Sequence, residues 1–158
     1  MNTHVTYEQG RTIIADAQRH GGPAQLAGAN LRGASLQGEH LAHADLQDAS
    51  LGDAMLQYAD LRGANLRHAD LQGANLQHAN LSKADLQGAN LQGAQLGGAN
   101  MTDTDLQGTD MRGAYLGIRG IDRVDLSTTH RSGQQVHTQI SRRAQPVVVR
   151  VVVAETVL

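Results

Sequence analysis

Cysteine, tryptophan and phenylalanine are absent from this 158-residue chain, and tyrosine occurs only three times. Without cysteine there is no disulfide framework and no thiolate nucleophile or metal ligand. Without large aromatics a core of ordinary width would be poorly filled, so the interior is expected to be narrow and built of small parts. Charge is sparse and nearly balanced. Thirteen Lys and Arg against 15 Asp and Glu leave a net charge of −2. That is neither the basic footprint of a nucleic-acid binder nor the acidity of a solvating tail. No apolar run approaches the roughly 18 residues of a membrane helix. Met1-Asn2-Thr3-His4-Val5 shows no basic start leading into an apolar stretch, so no secretory signal is read. The expectation is a soluble, cytoplasmic protein.

What the chain does have is a strict period. From Leu26 to Leu126 an apolar residue returns every five positions, giving 21 consecutive units. The centre is Leu in 18 units, Met in two (Met101, Met111) and Ile in one (Ile121). The residue two before it is Ala in 16 units. On an α-helix five residues advance about 140°, which would scatter the leucines around the axis. On a straight strand an odd spacing would send them to alternate faces. A single buried side requires a corner in every unit, with Ala and Leu both pointing inward. The fifth residue is Gly in ten units, which suits a type II turn with positive φ at its third position. Where Asp, His or Lys stands there instead, as at Asp48, His68 or Lys83, another turn type is an alternative. The Asn or Asp before each Leu is expected to hydrogen-bond nearby backbone.

Units such as Ala59-Asp60-Leu61-Arg62-Gly63 and Ala64-Asn65-Leu66-Arg67-His68 resemble the pentapeptide repeat family, with its A-(D/N)-L-x-x pattern. The match is strong over residues 24 to 118 and weak over 119 to 128. The resemblance implies an all-β solenoid, a right-handed quadrilateral parallel β-helix with four units per coil and about five coils. Some family members imitate DNA in shape and charge and bind type II topoisomerases such as DNA gyrase, protecting against quinolones. Those relatives favour Phe at the centre and carry more acid. Here the centre is never Phe, and the repeat holds 12 acidic against seven basic residues.

Three segments follow. Residues 1–23 are read as an N-terminal capping helix. Thr6 and Gln9 fit a capping box, Tyr7, Ile13, Ile14 and Ala17 make an apolar face, and Gly21-Gly22-Pro23 stops the helix. Gly10 inside it costs about 1 kcal/mol relative to Ala. Residues 24–128 form the β-helix. Glu39 stands at an inward Ala position, so that corner is open or covered by the N-terminal segment. Arg119 cannot fill such a site, and the coil is expected to loosen near residue 118. Residues 129–158 form a linker and a β-type tail, Val147-Val148-Val149-Arg150-Val151-Val152-Val153 after Pro146. Unpaired, such a strand would be an aggregation hazard. Val147, Val149, Val151 and Val153 are therefore read as a capping or dimerisation strand, pairing with the last coil or with the same strand of a second subunit.

Four units per coil would place residues 20 apart on one face, and four columns result. The column centred on Leu46, Leu66 and Leu86 presents Asp45, Asp48, Asp85, Asp105 and Asp125 against Arg67, an acidic stripe that could imitate a phosphate row. The column centred on Leu36, Leu56 and Leu76 carries no formal charge and presents Met55, Tyr58, His78, Tyr115 and Ile118. Interfaces enrich Tyr and Met and exclude charge at their centres, so this column is the candidate protein-contact face. It could also serve a homodimer.

Enzymatic chemistry finds no foothold. No three of the eight histidines fall on one face with ligand spacing, no Ser lies in a nucleophile elbow, and the glycines follow the turn period and form no phosphate loop. No catalytic, cofactor-binding or metal residue is assigned. No cofactor, direct nucleic-acid contact or membrane partner is expected. The main reading is a non-enzymatic scaffold for a protein partner, with the gyrase-directed DNA mimic as the alternative.

Overall fold

The structure is a computed structural model that describes residues 5–116, 136–139 and 150–153. Parallel bridges join residues that are always 20 apart, from Gln25↔Asp45 to Gln95↔Tyr115. Twenty residues per turn at five per unit means four units per turn, the number that the period alone left open. Residues 24–116 thus wind through more than four and a half turns. Each side of a turn contributes one bridged residue because a corner follows immediately, so the stack consists of isolated bridges and no long strands. Every unit centre from Leu26 to Leu116 is buried, as is every inward Ala over that span. The core is a double column of small and medium side chains, as the lack of aromatics required.

One unit shows why the pattern is self-sufficient. In Ala44–Asp48, the Ala44 N–H closes the corner onto the Leu41 carbonyl at 3.0 Å. Asp45 N–H reaches Ala24 in the preceding turn at 2.9 Å, while Leu46 and Asp48 N–H reach Asn65 and Arg67 in the next at 2.8 and 2.9 Å. The remaining donor, Gln47 N–H, bonds the Asp45 carboxylate at 3.2 Å. All five backbone donors are satisfied, as buried or half-buried backbone demands. The Asn or Asp before the centre supplies the fifth partner. The same bond recurs at Asn30, Asp60, Asn65, Asp70, Asn75, Asn80, Asp85, Asn90, Asn100, Asp105 and Asp110.

The corners are uniform, which corrects the alternative of mixed turn types. All 18 fifth positions from Gly28 to Gly113 have φ between 56° and 73°, including His43, Asp48, Asp53, Tyr58, His68, His78, Lys83 and Asp103. At each corner the next unit's first N–H returns to the central residue's carbonyl, as Ala59 to Leu56 at 3.1 Å. Positive φ at the third residue with that bond is the type II turn. The stack forces it: another turn would aim the fifth N–H away from the coil above.

Helix α1 (Tyr7–His20) closes the first turn. Its capping box is formed, with Thr6 as N-cap and Gln9 returning to the Thr6 N–H, and it ends at Gly21 in the left-handed region. Ile14 is buried in the rod's core, and Val5, Tyr7, Ile13 and Ala17 pack against it. Gly10 lies so near the rod that a Cβ would sit 2.7 Å from Leu31 Cδ2, so its helical cost is offset by close approach. Before the helix, the Val5 carbonyl accepts the Asn30 N–H at 2.8 Å, continuing the stack by one step. Glu39 is held from the helix by Gln18 Nε2 at 2.8 Å. Of the two alternatives for that corner, the covered one holds.

Strands β1 (Val136–Gln139) and β2 (Arg150–Val153) pair antiparallel, with Val136↔Val153 and Thr138↔Val151 in register. The expected partners of the valine strand were the last coil or a second copy, and the pairing found is a local one. Closing the ten residues between β1 and β2 costs less entropy than a contact with a more distant segment. Val151 and Val153 lie in β2; Val147 and Val149 lie outside the described residues, as do Ile118, Arg119 and Asp125. No helix among the described residues is long and apolar enough to cross a membrane.

Candidate functional site

Because residues 20 apart stack, each side of the rod can be read as one surface. Faces I to IV are numbered from the sides centred on Leu26, Leu31, Leu36 and Leu41. Face III comprises residues 35–38, 55–58, 75–78, 95–98 and 115–116 among those described, and carries no formal charge. The large apolar side chains exposed among the described residues are Met55 at 37%, Tyr58 at 68% and Tyr115 at 40%, and all three lie on it. Tyr58 stacks on His78 with ring centroids 5.0 Å apart and planes 10° from parallel. Gln37 Nε2 donates to Met55 Sδ at 3.2 Å and Gln77 Nε2 to Gln95 Oε1 at 2.9 Å. A Cβ on Gly97 would lie 3.6 Å from a Tyr115 ring carbon, and one on Gly98 2.6 Å from His78 Nδ1. The bare glycine pair lets both rings lie against the rod.

Met55, Tyr58, His78 and Tyr115, the described members of the candidate contact face, lie on this one side, which has a second property that the sequence reading missed. The position before the centre is Ser35, Met55, Gln95 and Tyr115, and only Asn75 keeps the consensus. The acceptor that Asn or Asp supplies to the following N–H in other units is missing. Among the described residues, the N–H groups of Gln37, Gln57 and Gly97 donate to nothing. Gln57 Oε1 is also buried without a partner. The signal was present in the sequence as four departures from Asn or Asp in one column of five.

Face I, the candidate acidic stripe, is occupied with itself. Asp45 Oδ1 accepts Gln47 N–H and, at 2.9 Å, Asn65 Nδ2. Asp85 accepts Gln87 N–H and pairs with Arg67 at 3.0 Å. Asp105 accepts Gln107 N–H at 2.9 Å and Asp48 takes Gln47 Nε2 at 3.2 Å. An amide at position 65 and a guanidinium at 67 interrupt the negative column between Asp45 and Asp105. On faces II and IV the charges pair off as Arg32–Asp53, Arg112–Asp110 and Arg62–Asp60. The hydrogen-bonded Arg112 guanidinium holds the Asp110 carboxyl well below the usual carboxylate range, and Arg62 lowers Asp60 in the same way. These groups are solvated, so each pair stabilises little.

One cavity of about 90 Å³ lies between α1 and the first turn, lined by Arg11, Ile14, Ala15, Gln18, Leu36 and Glu39. It is far below the roughly 300 Å³ at which substrate pockets begin. Among the described residues no three His, Asp or Glu side chains converge as metal ligands.

Comparison with known proteins agrees with this architecture. The pentapeptide repeat family model matches over residues 24–63, 44–82 and 79–117, with eight copies. No curated protein matches the chain. Among solved structures, the pentapeptide repeat protein Rfr23 from the cyanobacterium Cyanothece 51142 is 42% identical, with a TM-score of 0.57, over 58% of this chain and 63% of its own. The chain therefore spans less than two thirds of that relative's length. The pentapeptide repeat protein alr5209 from Nostoc PCC 7120 is 32% identical, with a TM-score of 0.42, over 75% of this chain and 87% of its own. QnrB1, a plasmid-mediated fluoroquinolone resistance protein, is 20% identical over 58% of this chain and 56% of its own, with a TM-score of 0.39, a likeness that carries no functional information. With more than half of its residues matched, and with the Asn or Asp of A-(D/N)-L-x-x units bonding the N–H two residues on, the chain belongs to the pentapeptide repeat family.

Proposed function

We propose that this protein is a non-enzymatic, cytoplasmic scaffold, a right-handed square rod of about five coils that presents face III to a protein partner. The observation that carries this reading is the concentration of Met55, Tyr58 and Tyr115, the large apolar side chains exposed among the described residues, on the one side without formal charge. Fully desolvated aromatic anchors ringed by neutral polar groups are the make-up of contact hot spots. Tyr58 adds a second mark. It holds φ 61°, where a bulky residue costs about 1–2 kcal/mol, and of the residues that the stack holds in this way it is the one large apolar side chain that is exposed. The β1–β2 ribbon, marginal by itself as a two-stranded unit, is a further contact element of the same scaffold, capping the rod or joining two copies.

The gyrase-directed DNA mimic has less support, because the carboxylates of face I are engaged in turn hydrogen bonds and cut by Arg67. The test is the double variant Tyr58→Asp with Tyr115→Asp. It should leave the melting temperature nearly unchanged while weakening capture of the cellular partner more than tenfold. If the partner is a second copy, the mass by light scattering should halve. Equal capture and equal mass would remove face III from the reading.

A further inference from the structure

Rings on face III form a ladder that stops one rung short. Side chains at the corners lean toward the following turn: His43 over Gly63, Asp53 over Gly73, His68 over Gly88 and His78 over Gly98, each within 2.8 Å of where a Cβ would be. Tyr58 obeys the same rule and stacks on His78. Its other ring face looks back toward the corner of the preceding turn, which is Gly38. A Cβ built there would meet nothing within 4 Å. Among the described residues no further ring, cation or hydrogen-bonding group touches the Tyr58 side chain. One strained, 68% exposed ring therefore faces a side-chain-free corner.

Donors without acceptors lie beside it. Gln37 and Gln57 N–H, on either side of this step, bond no described residue. They need an oxygen acceptor, and a peptide carbonyl supplies one without charge. The two coils are already joined through Gly38 N–H to Gln57 O at 2.9 Å and Leu36 N–H to Met55 O at 2.8 Å, so the side of the rod cannot take up an added strand. Size narrows the occupant further. Four steps of about 4.8 Å by five residues of at most about 3.5 Å bound the face at about 340 Å². A stable globular interface needs about 800 Å² per partner. A single peptide segment fits that area, and a second copy of the rod does not.

Resting on the contact-face reading above, we propose that the partner is an uncharged peptide segment. It lays an aromatic side chain on the free face of Tyr58 above Gly38, and its carbonyls accept the Gln37 and Gln57 N–H groups. Charged peptides are disfavoured because nothing on the face would compensate them.

The test uses a random 12-residue peptide library displayed on phage and selected on the full chain, with selected peptides measured by fluorescence anisotropy. Enriched peptides should carry an aromatic residue and little charge. The decisive variant is Gly38→His. Histidine holds positive φ at three other corners, His43, His68 and His78, and would lean onto Tyr58 and fill the rung. This variant should melt within roughly 4 °C of the parent and bind the peptides at least tenfold more weakly, as should Tyr58→Ala. Peptides bound equally by the Gly38→His protein but lost on Met55→Ala or Tyr115→Ala would overturn the vacant rung and keep the face. Peptides indifferent to all four changes, or no enrichment, would overturn both. A mass that doubles in light scattering and drops in Tyr58→Ala would make a second copy the occupant and overturn the peptide.

Discussion

Faces I and III share one backbone and one interior and differ in what precedes each central leucine. On face I an Asp or Asn stands before Leu46, Leu66, Leu86 and Leu106, and each closes a bond to the N–H two residues on. On face III Ser, Met, Gln and Tyr stand in that place at 35, 55, 95 and 115, and among the described residues the N–H groups of Gln37, Gln57 and Gly97 stay open. The consensus polar residue is therefore a folding device, and the side with most acid is the side with least left to offer a partner. The side that departs from the consensus gives up turn hydrogen bonds and exposes Met55, Tyr58 and Tyr115. Among the described residues, single open donors follow Gln25, His40 and Ser50 on the other faces, whereas face III has three, and in a repeat protein, where every unit could be made alike, that concentration on one column points to use.

The interior should not know the difference between the two faces. Leu66→Ala on face I and Leu76→Ala on face III remove equally buried side chains, both at 0% exposure. Each should lose about 2–5 kcal/mol in urea unfolding, and the two values should agree within about 1 kcal/mol. A much smaller loss on one side would mean that its core is looser and that the faces differ inside as well as out.

Corner changes come next in size. Gly88→Ala and Gly98→Ala both force a Cβ into positive φ and against a histidine ring, His68 or His78, at 2.5 and 2.6 Å from Nδ1. Each should cost about 1–2 kcal/mol, less if the ring swings away. Only Gly98→Ala should also disturb the Tyr58 stack and so weaken the contact on face III. Calorimetry reads the first effect and partner binding the second. A Gly88→Ala protein that loses binding equally would place the contact on both faces.

Much of this was legible in the sequence because the period is a statement about the backbone. Leu and Ala every five residues fixed the interior, and the capping box at Thr6 and Gln9 and the stop at Gly21 fixed the helix. The corners were harder. Tyr58 and Lys83 are poor candidates for positive φ by residue type, and only stacking against both neighbouring turns imposes it. Glu39 at an inward position left two outcomes open, since nothing local shows that Gln18, 21 residues away, reaches it. Val136–Gln139 drew no reading of its own, because Val-His-Thr-Gln is too short and polar to signal a strand without Arg150–Val153 opposite it. The open donors of face III were visible only after the role of Asn and Asp had been seen bond by bond.

That role gives a prediction of opposite sign on the two faces. Asp45→Ala removes the acceptor of Gln47 N–H and of Asn65 Nδ2 and should destabilise by about 1 kcal/mol. Met55→Asn restores the consensus on face III and gives Gln57 N–H an acceptor, so it should stabilise by about 0.5–1 kcal/mol while weakening the contact. Paired melting curves decide it. A destabilised Met55→Asn protein would show that the thioether, and its contact with Gln37, matters more to the fold than the missing bond.

The smallest effect separates the charged faces from face III by pH. Asp110 is held below its ordinary range chiefly by hydrogen bonding to Arg112, against a partial opposing push from burial. A carboxyl depressed in the folded state contributes stability that is present above its unfolded value near 3.9 and is lost as pH falls through the folded value. Arg112→Gln should therefore lower the melting temperature slightly at pH 5–7, in keeping with solvated pairs, and the gap from the parent should close as pH drops below about 4. The double variant of Tyr58 and Tyr115 to Phe, on a face without formal charge, should track the parent in slope across the same range. Equal pH slopes for all three proteins in acid unfolding would mean that the Arg112–Asp110 pair contributes nothing measurable, and that the charges of face II, like its Asn and Asp, serve solubility and turn geometry alone.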